Sequence, residues 1–281
     1  MSTRGQAELF LLSVTLIWGT TFVATKLILS HISPFLYVVI RFSLASIIFA
    51  VLTWKNVRVT TVGAAQKGFF LGVLLFTGFA LQTIGLEYTT ASKSAFVTGM
   101  LVVFTPLCQI LIEKRAPKLG NIVGVILVTA GLFFLTSPKG SEFNFGDALT
   151  LGCALCFALY IVCLDIFTKE HDAAQLTLIQ FATAAVGGGL MAGTFEHTWI
   201  ELHPTLIWWV LYLTVAATVV AIYVQTKYQK ETTPTRAAVI FSVEPVIAAV
   251  FAYFVLGEVL GVLGILGGGL IVAGVLVSEL S

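Results

Sequence analysis

The sequence predicts an all-α integral membrane protein whose ten transmembrane helices form two inverted five-helix repeats. Of its 281 residues, 58% are hydrophobic and only 10% are charged, a composition far from that of soluble domains. About ten apolar runs are long enough to cross a bilayer core of roughly 30 Å as helices. In addition, residues of the second half of the chain repeat those of the first half at a nearly constant spacing.

The predicted helices of the first half are apolar runs separated by short turns. They cover residues 8–29, 34–54, 68–88, 92–113 and 119–137. The first run is about 22 residues long and ends without a small-x-small cleavage pattern, so we expect a helix rather than a signal peptide. Pro34 and Pro117 mark the turns before the second and fifth helices, because proline does not continue a preceding helix.

The predicted helices of the second half follow the same plan. They cover residues 146–168, 173–194, 206–228, 235–257 and 259–277. Pro138 and Gly140 mark the turn between the two halves, and Pro204 marks the turn before the eighth helix. Spacings of three and four residues place Gly257, Gly261, Gly264 and Gly268 on one face of the last helix, and we expect this face to form a scaffold contact or a dimer contact.

The charges of the connecting segments predict that both termini lie in the cytoplasm and that the protein resides in the plasma membrane, the inner membrane of a bacterium. Cytoplasmic loops of membrane proteins carry an excess of lysine and arginine. With Met1 in the cytoplasm, Lys139, Lys26 and Lys93 fall on the outer side. The basic residues on the inner side are then Arg4, Lys55, Arg58, Lys67, Lys114, Arg115, Lys118, Lys169, Lys227 and Lys230. The net charge of +1 gives no indication of a nucleic-acid partner.

An internal repeat relates the two halves of the chain. The shift that aligns the first helices of the two halves places Lys26 opposite Asp165. A slightly larger shift aligns Lys93 with Arg236, and it also aligns other positions of the third, fourth and fifth helices with the eighth, ninth and tenth. Because each half contains an odd number of helices, the second half enters the membrane from the opposite side, so the repeats are inverted.

We therefore predict two domains, residues 1–140 with helices 1 to 5 and residues 141–281 with helices 6 to 10. Inverted repeats are a recurring plan of secondary transporters, because two similar halves can exchange roles around a shared central site. The repeat thus favours transport as the function, although membrane enzymes and scramblases also contain repeats.

Three motifs carry a resemblance to a known transporter family. They are Trp18-Gly19-Thr20-Thr21-Phe22 in the first helix, Glu87-Tyr88-Thr89-Thr90-Ala91-Ser92 before the fourth, and Val243-Glu244-Pro245 followed by Leu256-Gly257-Glu258. In this ordered set the chain resembles the drug/metabolite transporter superfamily, and within it the EamA type, with ten helices in two similar domains. The resemblance implies a secondary carrier, often an exporter of amino acids or other small metabolites, with a central cavity lined by helices 1, 3, 4, 6, 8 and 9.

Polar and aromatic residues near the middle of these six helices are our candidates for contact with the substrate. Ligand sites are mostly apolar, with a few polar groups that fix the orientation of the ligand. For any one aromatic residue, packing against lipid or another helix is an equally good explanation, so the set carries more weight than its members. The substrate-binding candidates are Trp18, Thr21, Phe79, Gln82, Thr98, Tyr160, Tyr223 and Ser242.

Two charged residues lie deep inside predicted helices, where ionisable side chains are costly. At 1.5 Å per residue, Glu244 lies roughly 14 Å and Arg41 roughly 10 Å from the start of its helix. Glu244 either couples proton movement to transport or forms a structural hydrogen bond at a broken helix. Arg41 is either functional or a structural partner of a carbonyl or carboxylate. Lys26 and Asp165 lie near helix ends and are expected to reach the membrane surface.

Charged residues also flank two corresponding turns of the repeat. Glu87 and Lys93 flank the turn between the third and fourth helices, and Lys230 and Arg236 flank its counterpart in the second half. Each pair either closes a gate as a salt bridge or forms solvated helix ends. Exposed ion pairs contribute little to stability, which favours the second interpretation.

The sequence therefore predicts a secondary transporter, not an enzyme. We expect it to move a small metabolite by alternating access through a central cavity, as an exporter of amino acids or related amphipathic compounds. The alternative is a membrane-embedded enzyme or a lipid scramblase. We expect no cofactor and no metal, because the sequence contains neither a phosphate-binding glycine loop nor metal-ligand spacings. The expected partners are the substrate and the lipid bilayer, with the protein as a monomer or homodimer.

Overall fold

The computed structural model describes residues 3–58, 60–135, 143–257 and 261–280. Throughout these ranges the regular secondary structure is helical, apart from one isolated β-bridge between two loops. Eight helices are long and apolar enough to cross a membrane, and two further apolar helices are shorter. The prediction of an all-α protein with ten membrane helices is thus confirmed.

We number the ten helices in chain order and treat interrupted helices as one. The first half contains α1 (Thr3–Ile28), α2 (Pro34–Val57), α3 (Val62–Tyr88), α4 (Ala91–Gly99 and Leu101–Glu113) and α5 (Leu119–Leu135). The second half contains α6 (Phe145–Phe167), α7 (Ala173–Phe195), α8 (Pro204–Thr214, the π-helical Val215–Val220 and Ala221–Tyr228), α9 (Pro234–Phe241 and Glu244–Leu256) and α10 (Val262–Glu279).

Two helices begin earlier than the apolar pattern predicts, because polar residues support their first turns. In α1, Arg4 Nε lies 3.0 Å from Glu8 Oε1, an ion pair across one helical turn. In α3, the Thr61 hydroxyl accepts a hydrogen bond from the Ala64 amide at 3.2 Å and caps the helix. Several predicted features lie outside the described residues, namely the end of the fifth span at 136–137, the turn containing Pro138, Lys139 and Gly140, the start of the tenth span, and Glu258.

Within the described residues, three helices are interrupted near their middle, and α2 is kinked at Thr53 near its end. The two segments of α4 meet at Met100, those of α9 meet at Ser242 and Val243, and α8 contains a π-helical turn. In α9, Pro245 lies in the first turn of the second segment, where its missing N–H group costs no hydrogen bond. Irregular backbone at membrane depth occurs where it borders protein or a cavity rather than lipid. The three interruptions therefore indicate where a functional site would lie.

Helices of one half pack against helices of the other. α2 packs on α7, α4 on α9 and α5 on α10, while α1 lies against α8 and α9, and α6 lies against α3 and α4. This is the contact pattern that an approximate two-fold axis between the predicted halves would produce. At one end of the α2–α7 pair, the Glu196 carboxylate accepts hydrogen bonds from the amides of Phe35 and Leu36 at 2.9 and 3.0 Å.

Glycines bring α5 and α10 into close contact. A Cβ atom at Gly131 would lie 2.7 Å from Gly267 O, and one at Gly124 would lie 2.8 Å from Gly274 O. The glycine face of α10 that we predicted does not make this contact, since a Cβ at Gly261 would meet nothing within 4 Å in the described structure. Spacings alone place glycines on a common face but do not indicate which face meets a neighbour.

Filling this contact is expected to destabilise the protein. In Gly131→Ala the new methyl group meets backbone atoms that cannot move aside, and overpacking of this kind costs about 1–3 kcal/mol. The matched control is Gly189→Ala in α7, where a Cβ has open space around it and where alanine favours the helix. Thermal unfolding in detergent compares the two, and equal melting temperatures would contradict the close contact of α5 and α10.

Candidate functional site

A cavity of about 50 Å³ lies within the bundle. Its walls come from α1, α2, α3, α4, α6, α8 and α9, which adds α2 to the six helices that the family resemblance implied. The polar lining residues are Trp18, Thr21, Arg41, Gln82, Thr98, Tyr160, Gln225 and Glu244. The apolar lining residues are Leu75, Phe79, Leu101, Phe157, Ile161, Ile222 and Phe241. The composition of this lining matches a site for a small amphipathic molecule.

The cavity contains eight of the ten candidate residues. They are Trp18, Thr21, Phe79, Gln82, Thr98, Tyr160, Arg41 and Glu244. Tyr223 instead packs on Phe49 with 5.2 Å between ring centroids, because Ile222 and Gln225 of the same helix face the cavity and a helix turns by about 100° per residue. Ser242 donates to Ala238 O at 2.8 Å inside the interruption of α9.

Gln225 is a lining residue that the candidate set omitted. The sequence repeat indicates this residue, because the shift that aligns Lys93 with Arg236 also aligns the candidate Gln82 with Gln225. In the structure Gln225 donates to Gln229 Oε1 at 2.9 Å, and Gln229 in turn donates to Ile161 O at 2.7 Å. Gln225 therefore links α8 to α6 at the cavity wall.

Trp18 joins α1 to the π-helical part of α8. Its indole Nε1 donates to Ala217 O at 2.9 Å, and its ring lies 5.4 Å from that of Phe241. The neighbouring Gly19 allows α1 to approach α9, because a Cβ there would lie 3.0 Å from Glu244 O and closer still to Ile247. The indole N–H is thus already engaged, and Trp18 offers a ligand mainly its ring.

Two further candidates hold neighbouring helices together. The Tyr160 hydroxyl donates to Gln180 Oε1 at 2.6 Å and links α6 to α7. Gln82 Nε2 donates to Thr98 Oγ1 at 3.3 Å and links α3 to α4. These bonds fix the side chains at the wall, so the polar groups are positioned before a ligand enters.

Arg41 is buried, with 2% of its surface exposed. Its Nε donates to Thr218 Oγ1 at 2.6 Å, its Nη1 donates to Tyr37 Oη at 2.8 Å, and its Cζ lies 4.6 Å from the Phe79 ring centroid. Thr218 lies in the π-helical turn of α8, an irregularity that is frequent at functional sites. Arg41 Nη2 has no hydrogen-bond partner in the described structure.

Glu244 is the first residue of the second segment of α9, directly after the interruption. The residue is 9% exposed, and it lines the cavity. Among the described residues, its carboxylate forms neither a hydrogen bond nor an ion pair. The structural hydrogen bond that we considered from the sequence is therefore not observed there. The N-terminal end of a helix segment favours negative charge, which suits a carboxylate at this position.

An ion pair joins the two halves at the face where α1 begins, which we call the terminal face. Arg236 at the start of α9 lies 2.7 Å from Glu8 at the start of α1, measured from Nε to Oε1. Both side chains are largely buried. Thr232 donates to the same Glu8 oxygen at 3.2 Å. On this face the first turns of α1 and α9 are thus held together.

A second ion pair joins the halves at the opposite face. Lys93 Nζ at the start of α4 lies 2.6 Å from Asp147 Oδ2 at the start of α6. Asp147 is fully buried and also accepts a hydrogen bond from the Thr89 hydroxyl at 2.8 Å. Lys26 strengthens this face, because its ammonium group donates to Leu86 O and, at 3.0 Å, to Thr89 O.

The two ion pairs are counterparts under the sequence repeat. The shift that aligns Lys26 with Asp165 also aligns Glu8 with Asp147, and the slightly larger shift of the later helices aligns Lys93 with Arg236. Glu87 and Lys230, which flank the two turns in the sequence, are not the partners in these pairs. In each pair, the acidic residue and the basic residue belong to different halves of the chain. The spacing of charged residues around a single turn therefore does not reveal these pairs.

Lys26 and Asp165 also differ from the prediction that they extend to the membrane surface. Lys26 binds carbonyl groups at the end of α3, where the unpaired carbonyls of a helix favour a cation. Asp165 is buried and lies 2.5 Å from Lys169 Nζ, one helical turn away. Within the described ranges, no group of three or more His, Cys, Asp or Glu side chains is arranged to hold a metal ion.

Comparison with known proteins identifies the family. The EamA-like transporter family model matches residues 5–137 and, a second time, residues 144–280. An uncharacterized transporter of Archaeoglobus fulgidus is 33% identical over 279 residues, which cover 99% of this chain and 87% of that protein. The threonine/homoserine exporter RhtA of Escherichia coli is 30% identical over 218 residues, which cover 74% of this chain and 71% of that protein.

A solved crystal structure shares the fold. It matches with a TM-score of 0.81 at 18% identity, over 99% of this chain and 97% of its own. The family and the names of the relatives indicate an integral membrane transporter of small molecules rather than an enzyme. With a family model that matches almost the whole chain in two successive copies, this protein belongs to the EamA-like transporter family.

Proposed function

We propose that this transporter is a secondary exporter of amino acids or related amphipathic small molecules, and that it works by alternating access. It resides in the plasma membrane, with both termini in the cytoplasm. Residues 1–140 and 141–281 are its two moving halves. The observation that carries the proposal is a central cavity between two counterpart ion pairs, one at each face of the bundle.

The ion pairs support alternating access because each one joins a helix of one half to a helix of the other. Opening the terminal face requires Arg236 to separate from Glu8, while the Lys93–Asp147 pair can remain closed. Opening the opposite face requires the reverse. Since the pairs are counterparts under an inverted repeat, the two halves can exchange roles between the two open conformations.

The lining of the cavity supports an amphipathic substrate. Phe79, Phe157 and Phe241 supply aromatic walls, and polar groups lie between them. The similarity to a protein named as a threonine/homoserine exporter supports amino acids as the first class to test and export as the direction.

Efflux from proteoliposomes tests the proposal. The purified protein is reconstituted into vesicles loaded with radiolabelled amino acids that have small hydroxylated, branched and aromatic side chains, and protein-free vesicles are the control. We expect saturable efflux of at least one class. Absence of saturable efflux across the panel would contradict the proposal, and rapid movement of labelled phospholipid between leaflets would support a scramblase instead.

A further inference from the structure

The cavity contains one buried basic and one buried acidic side chain that are not paired with each other. Arg41 and Glu244 are the charged residues among its described lining. Neither belongs to an ion pair found in the described structure. Arg41 lies on α2 and Glu244 on α9, so they belong to different predicted halves. Buried charges are normally paired, and a bound ligand is one source of partners.

Arg41 has the chemistry to bind a carboxylate. Thr218 and Tyr37 accept hydrogen bonds from two of its nitrogens, but both are neutral and leave its charge uncompensated. Nη2 is buried without any partner among the described residues. The guanidinium group is a planar fork of donors that matches the geometry of a carboxylate. The two existing bonds and the Phe79 ring fix the orientation of this fork.

Glu244 has the complementary chemistry for an ammonium group. Its carboxylate lies at the cavity without a hydrogen bond to any described residue. Because Glu244 follows the interruption in α9, the backbone holds it at the cavity rather than against the next helical turn. An ammonium group carries three hydrogen-bond donors and a positive charge. It would therefore supply the Glu244 carboxylate with both a hydrogen bond and a countercharge.

We propose that the substrate is a small zwitterion whose carboxylate binds Arg41 and whose ammonium group binds Glu244. This inference rests on the proposed transport function and assigns the two contacts that select an α-amino acid. The two cavity charges sum to zero when both are ionised, and a zwitterion leaves neither of them unpaired. A simple amine leaves Arg41 unpaired, and a simple acid leaves Glu244 unpaired, which is costly for buried charges.

Two matched series of compounds test the charge preference of the wild-type protein. The first contains L-threonine, 1-aminopropan-2-ol and 3-hydroxybutyrate, and the second contains L-leucine, 3-methylbutylamine and 4-methylpentanoate. In each series the second compound lacks the carboxylate and the third lacks the ammonium group. Inhibition of labelled amino-acid efflux gives the relative affinities. We expect each singly charged compound to bind at least about tenfold more weakly than its amino acid, because it leaves one buried group of the site unpaired.

Two variants assign the contacts. Arg41→Gln is expected to weaken binding of the amino acid and the acid but not of the amine, so the amino-acid-to-amine preference falls to near unity. Glu244→Gln is expected to remove the amino-acid-to-acid preference in the same way. Arg41→Lys keeps the positive charge but lacks the planar guanidinium group. It is expected to retain part of the preference for the amino acid over the amine. Lys227→Gln, at an exposed lysine outside the cavity, is the matched control.

Two outcomes would overturn the inference. One is a wild-type protein that binds the amine or the acid as tightly as the amino acid, a result that needs no variant and so holds even if Arg41→Gln fails to fold. The other is an Arg41→Gln protein that loses affinity for amino acid and amine by the same factor, as a purely structural role predicts. If efflux of amino acids is observed, either outcome removes the charge assignment alone. If no compound is transported, the proposed function and this inference fail together.

Discussion

The Arg236→Met variant is expected to open the terminal face of the protein and to reduce substrate exchange about tenfold. Arg236 and Glu8 form a largely buried ion pair at 2.7 Å. Removing one partner of a buried pair is costly when the other charge is left alone, but Glu8 keeps Arg4 at 3.0 Å as a second cation, so we expect a reduced cost of about 1.4 kcal/mol. That amount shifts the balance between closed and open conformations by about tenfold, and a transporter held open at one face turns over slowly.

The Lys93→Met variant is expected to have the corresponding effect at the opposite face. It leaves Asp147 fully buried without its cation, although the hydrogen bond from Thr89 remains. Amide hydrogen exchange followed by mass spectrometry measures both variants without added labels. We expect faster exchange at the starts of α1 and α9 in Arg236→Met, and at the starts of α4 and α6 in Lys93→Met.

Lys230→Met is the matched control for these variants. It removes one positive charge from the terminal face at an exposed position close to Arg236. We expect its exchange pattern and transport rate to stay within twofold of wild type, since surface charges contribute little, about 0–1 kcal/mol. Uniform acceleration of exchange at both faces in Arg236→Met would indicate general destabilisation and would contradict a closure specific to one face.

The Glu244→Gln variant is expected to lose the ability to use a proton gradient. Glu244 is the acidic residue among the described lining residues of the cavity. If the substrate ammonium group and a proton compete for this one carboxylate, a proton that enters from one side of the membrane displaces the substrate, which leaves on that same side. We therefore expect a transmembrane pH gradient to drive accumulation of labelled amino acid in wild-type vesicles, and we expect that accumulation to fall at least about tenfold in Glu244→Gln.

Substrate exchange without a pH gradient distinguishes a loss of proton coupling from a loss of folded protein. Glu244→Gln cannot ionise, yet it retains a polar side chain, so we expect exchange without a gradient to persist at reduced affinity. Glu244→Asp keeps the carboxylate on a shorter side chain and is expected to retain gradient-driven accumulation in part. A Glu244→Gln protein with the same dependence on the pH gradient as wild type would exclude Glu244 as the coupling residue.

The number of helices and most of the cavity could be predicted from the sequence, for physical reasons. A membrane helix needs a long apolar run, so ten runs separated by turns indicate ten helices. Polar groups are costly in lipid, so polar residues in the middle of a run face the protein interior. These two constraints explain why the sequence predicts Gln82, Thr98 and Glu244 as candidates, and all three line the cavity.

The orientations of individual side chains could not be predicted in the same way. A helix that is apolar all round has little periodicity to indicate which side faces a neighbour. The sequence therefore predicts Tyr223 as a cavity residue, although of these two residues of α8 it is Gln225 that lines the cavity. The partners of Lys93 and Arg236 were missed because Asp147 and Glu8 belong to the other half of the chain. The π-helical turn of α8 that positions Thr218 has no distinctive sequence pattern.

Counterflow in proteoliposomes tests the central claim, that one cavity is reached from each face in turn. Vesicles are loaded with a high concentration of an unlabelled amino acid that the efflux panel identifies, and a trace of the labelled compound is added outside. Alternating access predicts that the label transiently accumulates inside above its external concentration, because each outward-moving unlabelled molecule returns the site to the outside. Label that only equilibrates, with no accumulation above the external concentration, would contradict the mechanism.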